Sequence, residues 1–474
     1  MPRPRSLLCA AVAASVLLLL PACERRDSQF ERKFQFLVEE NARLVNAVGG
    51  LPDGPPIAPF AAARPSPENG RALTAENERL REFLARHERE VALGKNRSQR
   101  EAIEREVVAI RGLPFKTPVD YRVLNRAEIR QTITGKLGEV FSEEELRHLS
   151  AALAALGLLP ENFPLREKYI ELLSEQVAAF YDQHQHKLFM YEDASLESSQ
   201  NRVVLAHELT HALQDQHFGL SRLPLELKTN DDRAAAASAL VEGDATLVMT
   251  EFTFKNLSLG AIKDSLGTAL TQNMQQLQTA PRYLREMLVF PYLRGQEFCA
   301  ALTARGGFAA VSRAYADPPS STAQILHPEK YLADPREEPQ AIEWPDPTAQ
   351  GQKAIADNTV GEMGIRLLFT EWLDGVTAER ASVGWRGDRY LAFDQGRALV
   401  WKTVWDTEGD AEEFFEAERR LLEKRYRPEA PSATGREYDA DRPRFLRLRR
   451  TEANEVLLID VATPEWGRAL TERF

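Results

Sequence analysis

Val203-Val204-Leu205-Ala206-His207-Glu208-Leu209-Thr210-His211-Ala212-Leu213 is the stretch from which the chain is best read. Apolar residues precede the first histidine, the two positions between Glu208 and His211 are uncharged, and no proline interrupts. The pattern predicts a helix from about Val203 to Gln216, closed by Gly219. Residues four apart share one helix face, so His207 and His211 point the same way. Two imidazoles at that spacing can bind one zinc ion, with Glu208 beside them as a base. The competing reading is a pair of surface histidines on an amphipathic helix.

Catalytic zinc takes three protein ligands and leaves the fourth position to water. Two residues compete for third place. His217 follows His211 at the spacing of HExxHxxGxxH, but that pattern needs a glycine where this chain has Gln214. On an unbroken helix His217 lies about 240° around the axis from His211, facing away from the metal. Glu242 lies in Ala239-Leu240-Val241-Glu242-Gly243-Asp244-Ala245, on a second helix expected from about Asp232 to Phe254. Its helix neighbours Ala245 and Met249 are small or apolar, and a carboxylate on such a face is costly unless paired or bound to metal. Glu242 is therefore the expected third ligand, and a buried ion pair is its alternative.

HExxH followed some thirty residues later by a glutamate on the next helix resembles the gluzincin zinc metallopeptidases. More narrowly, HELTHALQDQHF, ALVEGDA, FPYLRGQEF and STAQILHPEKY together are similar to a group of bacterial metallopeptidases, many of them lipoproteins by sequence. The similarity runs from about Arg111 into the C-terminal part. It implies zinc held by His207, His211 and Glu242, with Glu208 as general base. One departure matters: thermolysin-type enzymes carry ExxxD, whereas the fourth residue past Glu242 is Thr246. An aspartate supporting a ligand histidine must come from elsewhere, with Asp244 and Asp215 as candidates.

Peptide hydrolysis also needs a donor for the developing oxyanion. Tyr292, His327 and Tyr331 lie in the family-like phrases and have suitable chemistry; Tyr292 and His327 are the chosen catalytic candidates beside Glu208. Leu188 to Tyr191 reads as a strand, and is expected at a sheet edge where an extended peptide can pair. His184 and His186 precede it in a polar turn with nothing to complete a metal site. Arg386-Gly387-Asp388 spells an adhesion tripeptide, but it sits in a strand-entry turn.

Further out, Met1 to Cys23 reads as an export signal: Arg3 and Arg5, then an uncharged apolar run from Ser6 to Leu20. Leu20-Pro21-Ala22-Cys23 resembles a bacterial lipobox, which makes Cys23 the lipid attachment site; an ordinary signal peptide cut near Ala22 is the alternative. Cys9 leaves with the signal, so Cys299 remains alone in an apolar helical context, as a small core residue. Phe30, Phe34, Leu37, Asn41, Leu44 and Val48 form one helical stripe, and Leu73, Asn77, Leu80, Leu84, His87 and Val91 a second. Each stripe has an Asn at a core-type position. A Pro-rich linker separates them, so they suit either a self-associating stalk or a helical hairpin.

Ser142 and Glu145 have capping-box spacing. Past Pro-rich loops at 317–347, a helix at Thr359–Trp372, strands at Tyr390–Phe393 and Ala398–Trp405, a helix at Ala411–Tyr426, and strands at Leu446–Arg450 and Glu455–Val461 make a small α+β unit. The 474 residues allow roughly three folded units. With 60 Lys+Arg against 71 Asp+Glu, a net charge of −11 and no long basic tract, the chain has no electrostatic footprint for nucleic acid.

The expectation is a helix-rich α+β protein with a zincin-like domain. Its boundaries are a signal peptide at 1–22, a helical segment at 23–104, a metallopeptidase domain at 105–345 and an α+β unit at 346–474. Function is expected to be zinc-dependent (Zn2+) hydrolysis of peptide or protein substrates in the bacterial envelope. The chain would be held to a membrane through its N-terminal lipid, with self-association through residues 24–100. The alternative is an inactive scaffold lipoprotein that keeps the fold.

Overall fold

The computed structural model describes residues 24–49, 67–175, 179–192, 194–256, 279–344, 353–393 and 398–474. The expected signal peptide (1–22) and Cys23 lie outside the described residues. The two stripes seen in the sequence become helices α1 (Glu24–Gly49) and α2 (Pro67–Lys95), which pack on one another. Their core asparagines meet. Asn41 Nδ2 donates to Asn77 Oδ1 at 2.8 Å, and Asn77 Nδ2 donates to the Leu37 carbonyl at 3.0 Å. A buried amide must find partners, so this pair fixes one register between the helices. The arrangement within the chain is a hairpin, one of the two readings the stripes allowed. It forms a compact unit ending at Lys95, and a second unit runs from Asn96 to Phe474.

The second unit begins with α3 (Arg97–Arg111), which buries Ile103, Val107 and Ile110 and stops at Gly112 in the left-handed conformation. Then come β1 (Asp120–Leu124), α4 (Arg126–Val140), α5 (Glu143–Leu156) and α6 (Leu165–Glu175). Ser142 and Glu145 form the expected capping box at the start of α5. Strands β2 (Ala179–Asp182) and β3 (Lys187–Tyr191) form a hairpin, and β1 adds to β3 in parallel, giving the order β1-β3-β2. The strand at Leu188–Tyr191 is therefore central, not an edge: β3 is paired on both sides and β2 takes the edge.

Helix α7 (Ser199–Phe218) lies against this sheet and α8 (Asp231–Asn256) against α7. Leu205, Leu209 and Leu213 of α7 pack with Leu188 and Met190 in one apolar cluster. Helix α9 (Arg282–Ala314) makes its main contact with α8. That contact is possible because two glycines meet: a Cβ on Gly243 would overlap the Gly295 carbonyl, and one on Gly295 would overlap the Ala239 carbonyl. Short helices α10 (Thr322–Leu326) and α11 (Pro328–Leu332) follow.

The C-terminal part holds β4 (Ala356–Asn358), α12 (Gly361–Trp372), α13 (Gly375–Arg380), β5 (Trp385–Phe393), β6 (Ala398–Trp405) and α14 (Glu408–Tyr426). It ends with β7 (Ser432–Ala433), β8 (Glu437–Ala440), β9 (Phe445–Arg450), β10 (Glu455–Val461) and α15 (Pro464–Thr471). The strands form one antiparallel sheet in the order β4-β5-β6-β10-β9-β8-β7. A large apolar core runs from Leu146 and Leu153 through Leu240 and Phe298 to Trp401, Phe414 and Leu458, continuous across this unit. The whole is a helix-rich α+β protein. No described helix is long and apolar enough to cross a membrane.

Candidate metal centre

Helix α7 has one face committed to the sheet and another to α8, which leaves His207 and His211 buried between the helices at 7% and 9% exposure. Glu242 approaches them from α8. Its Oε2 lies 3.2 Å from His207 Nε2 and 3.4 Å from His211 Nε2, and the two Nε2 atoms are 3.0 Å apart. Donor atoms around a tetrahedral zinc, at 2.0–2.1 Å from the ion, sit about 3.3 Å from each other. The observed triangle has that size, and two imidazoles with one carboxylate are a donor set suited to zinc. His207, His211 and Glu242 could hold a metal ion. Among the described residues they are the one group of His, Cys, Asp and Glu side chains that could do so.

The electrostatics follow from packing three ionisable groups together. Burial acts against the Glu242 carboxylate, yet the two imidazoles hold it far below the usual carboxylate range. Burial likewise acts against a charged His211, but Glu242, Glu208 and the bond to Gln214 lift it to about 9. Burial pushes Glu208 up, opposed in part by the histidines. Glu208 Oε2 accepts a 2.8 Å hydrogen bond from the backbone N–H of Tyr181 on β2, so the edge strand sits directly over it.

Tyr292 on α9 comes to the same place. Its ring stacks on His207 with centroids 5.9 Å apart and its hydroxyl lies beside the Glu242 carboxylate, while the residue is 42% exposed. The charge of Glu242, followed by burial and Glu208, pushes the phenol well above its ordinary value, so it stays a proton donor. The Gly243–Gly295 contact explains this placement: Tyr292 and Gly295 are three apart and share a helix face.

Other candidates go elsewhere. His327 Nε2 pairs with Glu362 Oε1 at 2.7 Å, and its segment is anchored at the start of α8, where Asp232 bonds Thr322. Ten helical residues separate Asp232 from Glu242, roughly 15 Å of axial rise. Tyr331 donates to the Asp317 carbonyl at 2.9 Å. His217 Nε2 donates to the Pro114 carbonyl at 2.7 Å, pointing away from His211 as the helix geometry required. His184 meets Glu226 and His186 meets Asp215. Cys299 is buried. Asp388 of the Arg-Gly-Asp tripeptide is buried too, accepting from Val360 N, Gly361 N, Trp385 Nε1 and Trp401 Nε1. That side chain is unavailable to an adhesion partner.

Sequence reasoning missed Gln214, Arg111, Tyr315 and the backbone of Tyr181. His211 Nδ1 bonds Gln214 Oε1 at 2.9 Å, and Gln214 Nε2 donates to Asp244 Oδ2 at 3.1 Å and to the Val241 carbonyl at 3.0 Å. Arg111 Nε lies 2.8 Å from Asp244 Oδ1, both side chains being fully buried, and Tyr315 donates to Asp244 Oδ2 at 2.9 Å. Of the two aspartates considered, Asp244 reaches a ligand histidine through Gln214. Asp215 instead receives Tyr181 OH, His186 and the Leu220 N–H. Gln214 carried a signal: a polar side chain three residues past His211, on a face that must be buried.

Residues 349–469 match a family described as a domain of unknown function (DUF8575). The match spans the C-terminal sheet and none of the metal-site residues. No curated protein and no solved structure matches the chain.

Proposed function

We propose that this chain is an exported, lipid-anchored zinc metallopeptidase acting on peptides or proteins. Cys23 carries the lipid, His207, His211 and Glu242 hold the zinc, and Glu208 is the general base. The observation that carries the reading is the convergence of these three ligand atoms in a triangle of zinc-site size, with an intact glutamate next to the first ligand. A non-catalytic metal site has no need of that glutamate.

A zinc ion held by His207, His211 and Glu242 would supply a more acidic water and a Lewis acid for the carbonyl. Glu208, next to His207 in the chain, would take the proton of that water and later return it to the leaving amine. Its upward shift by burial brings it nearer the range in which a carboxylate both accepts and gives back a proton. Tyr292, rather than His327, is the donor to the developing oxyanion, because its hydroxyl already faces Glu242 and remains protonated. The edge strand β2 has Tyr181 N–H aimed at Glu208, so an extended peptide along that edge would bring its backbone to the base.

The test is zinc per chain, by elemental analysis, on protein beginning after Cys23, with Glu242→Ala measured beside it. One zinc in the wild type, lost in the variant, is the expected result. Well-folded wild type that holds no zinc overturns the reading and returns the scaffold alternative. Zinc held at full strength without Glu242 removes Glu242 from the ligand set.

A further inference from the structure

The two ligand histidines are not supported alike. His207 Nδ1 is buried with no hydrogen-bond partner among the described residues. His211 Nδ1 faces Gln214 Oε1 at 2.9 Å, and Gln214 is completely buried. The orientation of this amide is decided by its surroundings. Its Nε2 lies against the Val241 carbonyl and Asp244 Oδ2, both of which can only accept. Oε1 is therefore the atom turned to His211. An amide oxygen cannot donate, so His211 must keep its proton on Nδ1, and Nε2 is the nitrogen left to ligate.

Asp244 is held just as firmly by Arg111 from α3 and Tyr315, the residue that follows α9. Arg111 cancels its charge, and the neutral amide stands between it and the imidazole. A carboxylate bonded directly to a ligand histidine orients the ring and also adds negative charge beside the metal. Here orientation is transmitted and charge is not. A metal held here would have Glu242 as its one anionic protein ligand, which would preserve its power to acidify water.

We propose that Gln214, held by Asp244, is the positioning residue that presents His211 Nε2 to the metal, replacing the aspartate support that Thr246 precludes at the fourth position past Glu242. This rests on the metal-site reading above. Because His207 Nδ1 has no comparable partner, losing Gln214 leaves neither imidazole with a hydrogen bond at Nδ1, and metal affinity is the quantity most exposed to that loss.

The experiment compares Co2+ affinity, by competition with a chromophoric chelator, and the visible Co2+ spectrum in wild-type chain and Gln214→Leu. Thermal unfolding of the metal-free proteins is followed alongside. Gln214→Leu is expected to bind Co2+ about 10–100-fold more weakly and with an altered spectrum. A purely structural glutamine would lower the melting temperature and leave affinity and spectrum alone; affinity within threefold of wild type overturns the proposal. Wild type that binds no Co2+ or Zn2+ overturns the metal-site reading instead, and this proposal with it. Where Gln214→Leu does not fold, long-range 1H–15N NMR of the zinc-loaded wild type decides. His211 protonated on Nδ1 supports the proposal, and His211 bound through Nδ1 refutes it.

Discussion

Glu208 and Tyr292 both lie beside the ligand triangle and differ in what they touch. Glu208 is not a ligand; its carboxylate accepts from the Tyr181 backbone. Glu208→Gln keeps size and that acceptor but removes the base. It should hold zinc as the wild type does and lower kcat by about 10²–10⁴-fold, the range for general acid–base catalysis. Parallel measurement of metal content and turnover checks this, and loss of zinc in the variant would show that Glu208 acts in binding. Tyr292→Phe removes one hydroxyl while the ring still stacks on His207. A donor used only as charge develops should cost kcat about 10²-fold and leave KM nearly unchanged. A variant that raised KM alone would assign Tyr292 to substrate binding.

Between residue and fold stands the contact of α8 with α9, built on Gly243 and Gly295. Neither position accepts a Cβ without moving backbone. Gly295→Ala should destabilise the protein by about 1–3 kcal/mol in denaturant unfolding and shift Tyr292 away from His207, lowering activity more than metal binding. Equal loss of both would mean that the helices separate altogether. Much at this scale was legible in the sequence. The helix bearing His207 and His211 is unbroken and apolar around its motif, and Glu242 stood out as a carboxylate on an apolar helix face. Interactions between distant segments were not legible. Arg111 meets Asp244 across 133 positions, and nothing local to either residue announces the pair. The strand at Leu188–Tyr191 was recognisable, but its central place depends on β1, which arrives from far upstream to pair in parallel. His327 looked like a site residue because it lies in a family-like phrase, whereas packing gave it to Glu362.

The whole molecule comprises two compact units, the hairpin and the body from Asn96 onward. All the metal-site residues and their supports belong to the second, so a chain beginning at Asn96 should fold and bind zinc with wild-type stoichiometry. Elemental analysis and circular dichroism test this, and an unfolded product would show that the body depends on the hairpin. The body also has a distinctive dependence on pH. Burial pushes Asp232 up to about 7, against the hydrogen bonds it accepts from Thr322 and with the help of the nearby Asp388 and Glu362 charges. Burial pushes Glu418 up to about 8, against the pull of Arg425. Glu418 Oε2 has no hydrogen-bond partner among the described residues. Both groups keep their protons in the folded chain at pH values where the unfolded chain has released them. A raised folded pKa means full stability below the unfolded value, near pH 4, and progressive loss as pH rises through the folded one. Metal-free protein should therefore lose stability from about pH 5 to pH 8, and Glu418→Gln, which cannot ionise, should flatten that slope. The variant should be more stable than wild type at pH 8 by on the order of 2 kcal/mol and close to it at pH 5. Urea unfolding across this range checks the claim. A variant parallel to wild type at every pH would show that Glu418 is solvated or paired when ionised, leaving Asp232 as the source of any remaining slope.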